Sequence, residues 1–146
     1  MFDIIKMNNN ELTSAVIVEP RNHKALIPVI NNVRRVIGDK IPIHLLHGLS
    51  NRSLAYKIKD SINNIILKQL DINNLTIKDY NILLTSKDFY NILPDGKTMI
   101  FQTDSGFCKP NIHSKFLEYD YIGGPWRNTP LSLARAHISP PRGGLL

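Results

Sequence analysis

The stretch IFQTDSGF, residues 100–107, carries the residues best placed for chemistry, because an apolar strand runs into Gln102 and Asp104 and then turns apolar again. An acid that follows a buried strand can hold a hard divalent cation, which prefers oxygen ligands and often bridges to substrate phosphates. The same residue types also favour a turn, in which the aspartate accepts hydrogen bonds from nearby backbone amides. The stretch alone therefore predicts either a metal site or a turn at Asp104.

Most other strong catalytic motifs are absent from the sequence. It contains no phosphate-binding Gly-x-x-x-x-Gly-Lys, no Gly-x-Gly-x-x-Gly after the first predicted strand and no Gly-x-Ser-x-Gly nucleophile elbow. The five histidines do not have zinc-ligand spacing. The single cysteine, Cys108, is better explained as a small packing residue than as a nucleophile.

The composition is that of one globular domain. The chain has 146 residues, 42% of them hydrophobic, and one core is the expectation at this length. No apolar run approaches the roughly 18 residues of a membrane span, and the first residues lack the features of a secretory signal. One cysteine is typical of a reducing compartment, so these features predict a cytoplasmic protein.

The formal net charge of +6 gives little support to nucleic-acid binding. Arg127, Arg135 and Arg142 supply half of it, and no acid follows Asp120. The remaining acids and bases are interspersed, whereas a duplex-binding protein carries a clustered basic stripe. We therefore predict no nucleic-acid partner. The charge is compatible with one anionic small molecule and is equally typical of a solvated surface.

Strand-like and helix-like segments alternate along the chain, with short connections. Asn22 is the expected cap of the first helix, Pro28 fits only in its first turn, and Gly38 is the expected stop. The alternation predicts an α/β fold, a mostly parallel Rossmann-like sheet with helices on both faces. The predicted strands are 15–18, 41–46, 65–70 and 97–103, and the predicted helices are 22–37, 54–62 and 77–93.

Polar side chains follow several of the predicted strands. Ligands of open parallel sheets bind beyond the carboxyl ends of the strands. We therefore expect Glu19, Arg21, His47 and Asp104 to gather along one rim.

The last eighteen residues have a different composition from the rest. Residues 129–146 contain neither Asn nor Lys, and they include Pro140-Pro141 and Gly143-Gly144. We expect residues 1–128 to form the domain and residues 129–146 to be an irregular or disordered tail. A shift of coding frame would produce such a change of composition.

Four blocks in order, VIVEPRNH, NLTIKDYNILLTSKDFY, IFQTDSGF and FLEYDYIGGPW, resemble a family of domains of unknown function whose members occur in bacteria and large DNA viruses and look like GT-A type glycosyltransferases. The resemblance covers roughly residues 14–127. It implies transfer of a sugar from a nucleotide-sugar donor, with a UDP-sugar as the guess, and a metal-binding Asp-x-Asp after the fourth strand. Asp104 takes the place of the last aspartate and would bind Mn²⁺ or Mg²⁺. Gln102 replaces the first aspartate, which lowers the expected metal affinity.

The resemblance also assigns residues to the nucleotide and to the sugar or acceptor side, although it implies no catalytic residue. Each has a structural alternative: Tyr80 lies on an apolar stripe typical of a core, Trp126 could anchor a core, and Glu19 could cap a turn. The residues implied for the nucleotide are Glu19, Pro20, Arg21, Asp79, Tyr80, Gln102 and Thr103, and those for the sugar or acceptor side are Gly123, Gly124 and Trp126.

GT-A enzymes need a second half that supplies the acceptor site, and the irregular tail begins where relatives of this family continue. The sequence is therefore interpreted as a shortened transferase, weakly active or inactive, since catalysis requires both reactants to be oriented. A non-catalytic remnant or interaction module that keeps only the α/β scaffold is the alternative. A receiver-like domain phosphorylated on Asp104 is less well supported, because only Glu19 follows the first strand as a further acid.

Overall fold

The structure is a computed structural model that describes residues 11–112 and 114–123. Strands and helices alternate from the first strand to the third, and two short helices precede the fourth strand. In chain order the elements are β1 (Leu12–Glu19), α1 (Leu26–Ile37), β2 (Ile43–His47), α2 (Arg52–Ser61), β3 (Ile65–Gln69), α3 (Ile77–Leu84), α4 (Lys87–Asn91), β4 (Lys97–Ile100) and a 3₁₀ helix (Ser114–Glu118).

The four strands form one all-parallel sheet in the order β3-β2-β1-β4. Glu19 at the end of β1 lies opposite His47 at the end of β2, and Val16 lies opposite Ile100 at the end of β4. The chain therefore steps from β1 outward to β3 and then returns to the other side of β1. This arrangement confirms the predicted α/β fold and is consistent with a Rossmann-like sheet.

Helices cover both faces of the sheet, as predicted. In β1, Ala15 and Ile17 pack on the face covered by α1 and α2, whereas Val16 and Val18 pack on the face where Phe89 of α4 lies. Side chains of successive strand residues point to opposite faces, so a wholly apolar strand is the expected sequence for a strand buried on both sides. Among the described residues, no helix is long and apolar enough to cross a bilayer.

The first helix starts later than predicted. It begins at Leu26, and Ala25 in the capping position makes no side-chain cap hydrogen bond. Asn22, the predicted cap, instead donates its side-chain amide to the Ser50 carbonyl at 3.0 Å. Pro28 lies in the first turn, and Gly38 ends the helix with a φ of 75°, so both of these predictions are confirmed.

The segment predicted as one helix over 77–93 forms two. Thr85 ends α3, and the Ser86 side chain accepts a hydrogen bond from the Phe89 amide at 3.2 Å and so starts α4. A serine that caps a new first turn competes with continuation of the old helix. The fourth strand is also shorter than predicted, since it ends at Ile100 rather than at Thr103. The predicted tail, 129–146, lies outside the described residues.

Candidate functional site

An open cleft of about 660 Å³ lies at the carboxyl ends of β1 and β4. These two strands are neighbours in the sheet, and ligands of open α/β sheets bind beyond the carboxyl ends of the strands. The cleft lining comes from four parts of the chain, which are residues 18–21 with His23, residues 74–77, residues 80–81 and residues 102–104. Seven of the eleven residues that the sequence assigned to the site lie here.

Glu19 and Arg21 form a closely bonded pair at the end of β1. Arg21 donates from Nε to Glu19 Oε1 at 2.8 Å and from Nη2 to Oε2 at 2.9 Å, and its backbone amide donates to Oε1 at 3.0 Å. The Glu19 side chain is 4% exposed and that of Arg21 is 54% exposed. The pair therefore fixes the guanidinium at the cleft surface with three of its five N–H donors unused by the described residues.

The charge of Glu19 is maintained by its partner. Burial alone would raise the pKa of the carboxyl, but the hydrogen bonds from the Arg21 side chain and backbone, together with the charge of Arg21, outweigh burial and hold the pKa below 4.5. The hydrogen bonds and charge of Glu19 in turn raise the pKa of Arg21. Both groups are thus ionised at neutral pH.

The loop that carries Pro20 is fixed by Asn51, whose contacts were not predicted from the sequence. The Asn51 side chain is fully buried and donates to the carbonyls of Glu19, at 2.7 Å, and Arg21, at 2.9 Å, while accepting from the Gly48 amide at 2.8 Å. Gly48 is required there, because a Cβ would lie 2.6 Å from the Pro20 carbonyl oxygen. No short-range sequence pattern signals this contact between the β1 and β2 ends.

His23 is a second cleft residue that the sequence did not single out. Its Nδ1 accepts a hydrogen bond of 3.2 Å from the Ala25 amide. A neutral imidazole that accepts through one nitrogen carries its proton on the other. His23 therefore presents an Nε2–H donor on the wall formed by the residues after β1.

Tyr80 of α3 and Gln102 meet across the cleft. The Gln102 amide nitrogen donates to the Tyr80 hydroxyl at 2.9 Å. Burial raises the pKa of this hydroxyl above 10.0, and the nearby charges of Asp104 and Glu19 raise it further, against the lowering effect of the Gln102 bond. The hydroxyl is therefore protonated, and its own proton is left to donate to a ligand.

Asp104 lies in a tight turn that follows β4. Ser105 closes this turn, because its Oγ accepts from the backbone amide of Gln102 at 2.8 Å and donates to the backbone carbonyl of Gln102 at 2.7 Å. The Asp104 carboxylate is exposed in the cleft lining and has no hydrogen bond or ion pair with the described residues. The turn predicted as one alternative is present, and its carboxylate is left open to a ligand.

The described part of the chain does not build a resident metal centre, since it holds no group of three or more His, Cys, Asp or Glu side chains that could bind an ion. Gln102 cannot supply a second carboxylate, because its side chain is an amide, and that amide donates a hydrogen bond to the Tyr80 hydroxyl. Mg²⁺ is, however, commonly held by one or two carboxylates together with substrate phosphates. The free carboxylate of Asp104 fits a cation that arrives with a diphosphate, and does not fit an ion held by protein alone.

Four of the residues assigned from the sequence lie apart from the cleft or outside the described residues. Asp79 is exposed in the first turn of α3, where its backbone amide donates to the capping Thr76 hydroxyl at 3.1 Å and its carboxylate accepts from that hydroxyl at 2.7 Å. Gly123 lies at the end of the described chain, where a Cβ would be 3.1 Å from the Tyr121 hydroxyl. Gly124 and Trp126 lie outside the described residues. His47, expected on the rim, is buried and bonds its own neighbour, the Gly48 carbonyl, at 2.9 Å.

A second, apolar cavity of about 280 Å³ lies on the other side of the 101–107 segment. Phe101, Gly106 and Phe107 face this cavity, whereas Thr103 and Asp104 face the polar cleft. Cys108, next to this segment, is exposed, so its predicted role as a packing residue is wrong.

Comparison with known sequences gives one match. A family model described as "Protein of unknown function (DUF5672)" matches residues 64–145, more than half of the chain. The matched range includes α3, β4 and the turn of Asp104, and leaves Glu19 and Arg21 outside it. No curated protein and no solved structure matches the chain.

Proposed function

The chain belongs to the DUF5672 family of proteins of unknown function, and from its own cleft we propose that it is a glycosyltransferase that binds a nucleotide-sugar donor between β1 and β4. The observation that carries the proposal is the convergence of the Glu19–Arg21 pair with Tyr80, Gln102 and Asp104 around one cleft. The volume of about 660 Å³ is within the range of small-molecule and cofactor sites.

The donors around the cleft suit a diphosphate. Arg21 offers its unused N–H groups, Tyr80 its hydroxyl proton and His23 its Nε2–H. Arginine binds phosphate oxygens through two parallel N–H bonds, and the Glu19 pair already orients the guanidinium for this. Asp104 alone would repel the anion, so a divalent cation would have to bind with the diphosphate, and the Asp104 carboxylate would hold it. Mn²⁺ or Mg²⁺ in that position would offset the charge of the leaving group.

In such a transfer the bond between the anomeric carbon and the diphosphate breaks, and the nucleoside diphosphate leaves with the electron pair. The acceptor hydroxyl forms the new bond to the anomeric carbon and gives up its proton. Arg21 and Tyr80 would orient the donor and hold the departing phosphates, which is the positioning role on which such reactions depend. The proton of the acceptor hydroxyl passes to water.

The presence of an amide rather than a carboxylate at Gln102 favours a second candidate function, a non-catalytic module that binds a nucleotide or only retains the scaffold. The two candidate functions differ in whether the sugar donor is consumed and in whether nucleotide binding requires a metal ion. The transferase requires metal-dependent nucleotide binding and consumes the sugar donor, whereas the module does not turn over.

Binding of UDP to the full chain, with and without Mn²⁺, tests the proposal by thermal shift and calorimetry. A ligand at a hundredfold excess over Kd stabilises the fold by about 2.7 kcal/mol, which is easily measured. We expect stabilisation that needs UDP and Mn²⁺ together and is lost in Asp104→Asn. Asp95→Asn is the matched control, because Asp95 is an exposed turn aspartate at the opposite end of β4. Release of UDP from a UDP-sugar then separates transferase from binding module.

If wild-type protein is unaffected by UDP, GDP, ADP and CDP with Mn²⁺, the proposed donor site is wrong. If Asp95→Asn weakens binding as much as Asp104→Asn, the effect is general electrostatics rather than a ligand role for Asp104.

A further inference from the structure

Asn32 of α1 holds the segment that carries Asp104. Its Oδ1 accepts a hydrogen bond of 2.7 Å from the Phe107 amide, and its Nδ2 donates one of 3.1 Å to the Phe107 carbonyl. One side chain thus satisfies both backbone groups of a residue 75 positions away, as a neighbouring strand would. Gly106 passes close to the same amide, since a Cβ there would lie 3.4 Å from Asn32 Oδ1.

The segment is therefore fixed at both ends. At one end the Gln102 backbone bonds Ser105, and the Gln102 side chain bonds Tyr80. At the other end Phe107 is held by Asn32, which belongs to a helix on the opposite face of the sheet from Tyr80. Asp104 lies between these anchors, and its carboxylate has no hydrogen bond or ion pair with the residues that the structure describes.

We infer that Asn32 is a positioning residue for the Asp104 carboxylate, acting through Phe107 on the cation that accompanies the diphosphate. This inference rests on the proposed donor site. A carboxylate on a loose loop must be ordered at the moment of binding, and that ordering reduces affinity. Without Asn32, the Phe107 end of the segment keeps its packing against the core but loses both backbone hydrogen bonds, so the metal-dependent part of nucleotide affinity should fall while the contacts of Arg21 persist.

The test compares Asn32→Ala with Asn31→Ala in the full chain. Asn31 is the neighbouring, exposed asparagine of the same helix, so both variants make the same change of helix propensity. We expect Asn32→Ala to raise the Kd for UDP with Mn²⁺ about tenfold, from the loss of two hydrogen bonds, and to change the Kd without Mn²⁺ less than about twofold. Asn31→Ala should leave both unchanged. Amide hydrogen exchange of residues 103–107 should rise in Asn32→Ala alone.

Asn32→Gln keeps the amide one methylene further out and should recover part of the lost affinity; it replaces Asn32→Ala if that variant does not fold. An Asn32→Ala protein that binds UDP and Mn²⁺ like wild type, or that loses metal-free and metal-dependent affinity equally, overturns the inference while leaving the donor site intact. A wild-type chain that binds no nucleoside diphosphate with Mn²⁺ overturns the donor site, and the role of Asn32 with it.

Discussion

The side-chain amide of Gln102 donates a hydrogen bond of 2.9 Å to the hydroxyl of Tyr80, which joins the loop after β4 to helix α3. The two residues are 22 positions apart and both line the cleft. An amide can donate to the hydroxyl and leave the hydroxyl proton for a ligand, whereas a carboxylate could only accept that proton. Gln102 therefore links the two sides of the cleft through a hydrogen bond. It stands at the position where the Asp-x-Asp motif of the resembled family has its first aspartate.

An acid in place of Gln102 should replace the hydrogen bond to Tyr80 with a metal ligand. Gln102→Asp brings a second carboxylate close to Asp104, and we expect Mn²⁺ affinity in the absence of nucleotide to rise about tenfold. Isothermal titration with Mn²⁺ alone measures the gain. Gln102→Asn, which keeps an amide without charge, is the control and should gain nothing. An aspartate variant that binds Mn²⁺ no better than the asparagine variant would contradict this account of the turn.

Replacing Glu19 should destabilise the fold in a pH-dependent way. Glu19→Gln exchanges charge-assisted bonds to Arg21 for neutral ones, and we expect the free energy of unfolding at pH 7 to fall by about 1 to 2 kcal/mol, a range limited by solvent screening of Arg21. Because the folded-state pKa lies below 4.5, the ionised carboxylate stabilises the fold above that pH and loses this effect as pH falls through the folded-state pKa.

Urea denaturation from pH 7 to pH 3 measures this effect. The difference between wild type and Glu19→Gln should be greatest near neutrality and shrink below about pH 4.5. Glu11→Gln, at the exposed residue just before β1, is the control and should show no comparable difference. A constant difference at every pH would mean that packing, and not charge, explains the role of Glu19.

Asn51→Ala should be among the most destabilising polar substitutions in the described chain. It leaves the Glu19 and Arg21 carbonyls and the Gly48 amide without their partner inside the protein. We expect a loss of about 2 to 4 kcal/mol in the free energy of unfolding, with weaker nucleotide binding because the loop of Arg21 loosens. Asn63→Ala, at an exposed asparagine, should stay within about 0.5 kcal/mol of wild type. Equal effects of the two variants would contradict the assignment.

His44 should make the fold sensitive to mild acid. The ring is 8% exposed on β2, and its Nε2 has no hydrogen-bond partner in the described structure. Burial lowers the pKa of His44 below 6.5, so the unfolded chain takes up its proton first and stability falls as pH drops below about 6.5. His44→Leu should flatten this dependence between pH 8 and pH 5 in thermal unfolding. A profile as steep as that of wild type would assign the acid sensitivity to other groups.

The framework of this fold was predictable because it depends on local patterns. Residues 15–18 are apolar without a break, which predicted a strand buried on both faces, and Gly38 marked a helix end that the left-handed φ confirms. The end of β4 was not predictable in the same way. Phe101 still donates its backbone amide to the Val16 carbonyl, as a strand residue would, and the hydroxyl and backbone amide of Ser105 turn the chain at Gln102. Whether the chain continues its strand hydrogen bonds or turns at this point is not marked by any periodic pattern of residues in the sequence.

The sequence named residues that line the cleft, but it did not predict the contacts between them. The bonds of Tyr80 with Gln102 and of Asn32 with Phe107 depend on how α3 and α1 are rotated against the sheet. Rotation is set by packing of whole helix faces, which a single sequence does not specify. The contacts of Asn51 were not predicted either, because its partners lie about thirty positions away along the chain.

The burial of β1 on both faces makes the whole domain one cooperative unit. Ala15, Val16 and Ile17 are 0% exposed, and they face the two helical layers alternately. Neither layer can detach without exposing a strand that the other layer also needs, so the amides of β1 should exchange only through global unfolding, in a single transition. A ligand held at the carboxyl end of this strand therefore slows the opening of residues on the far face of the sheet, although it touches none of them.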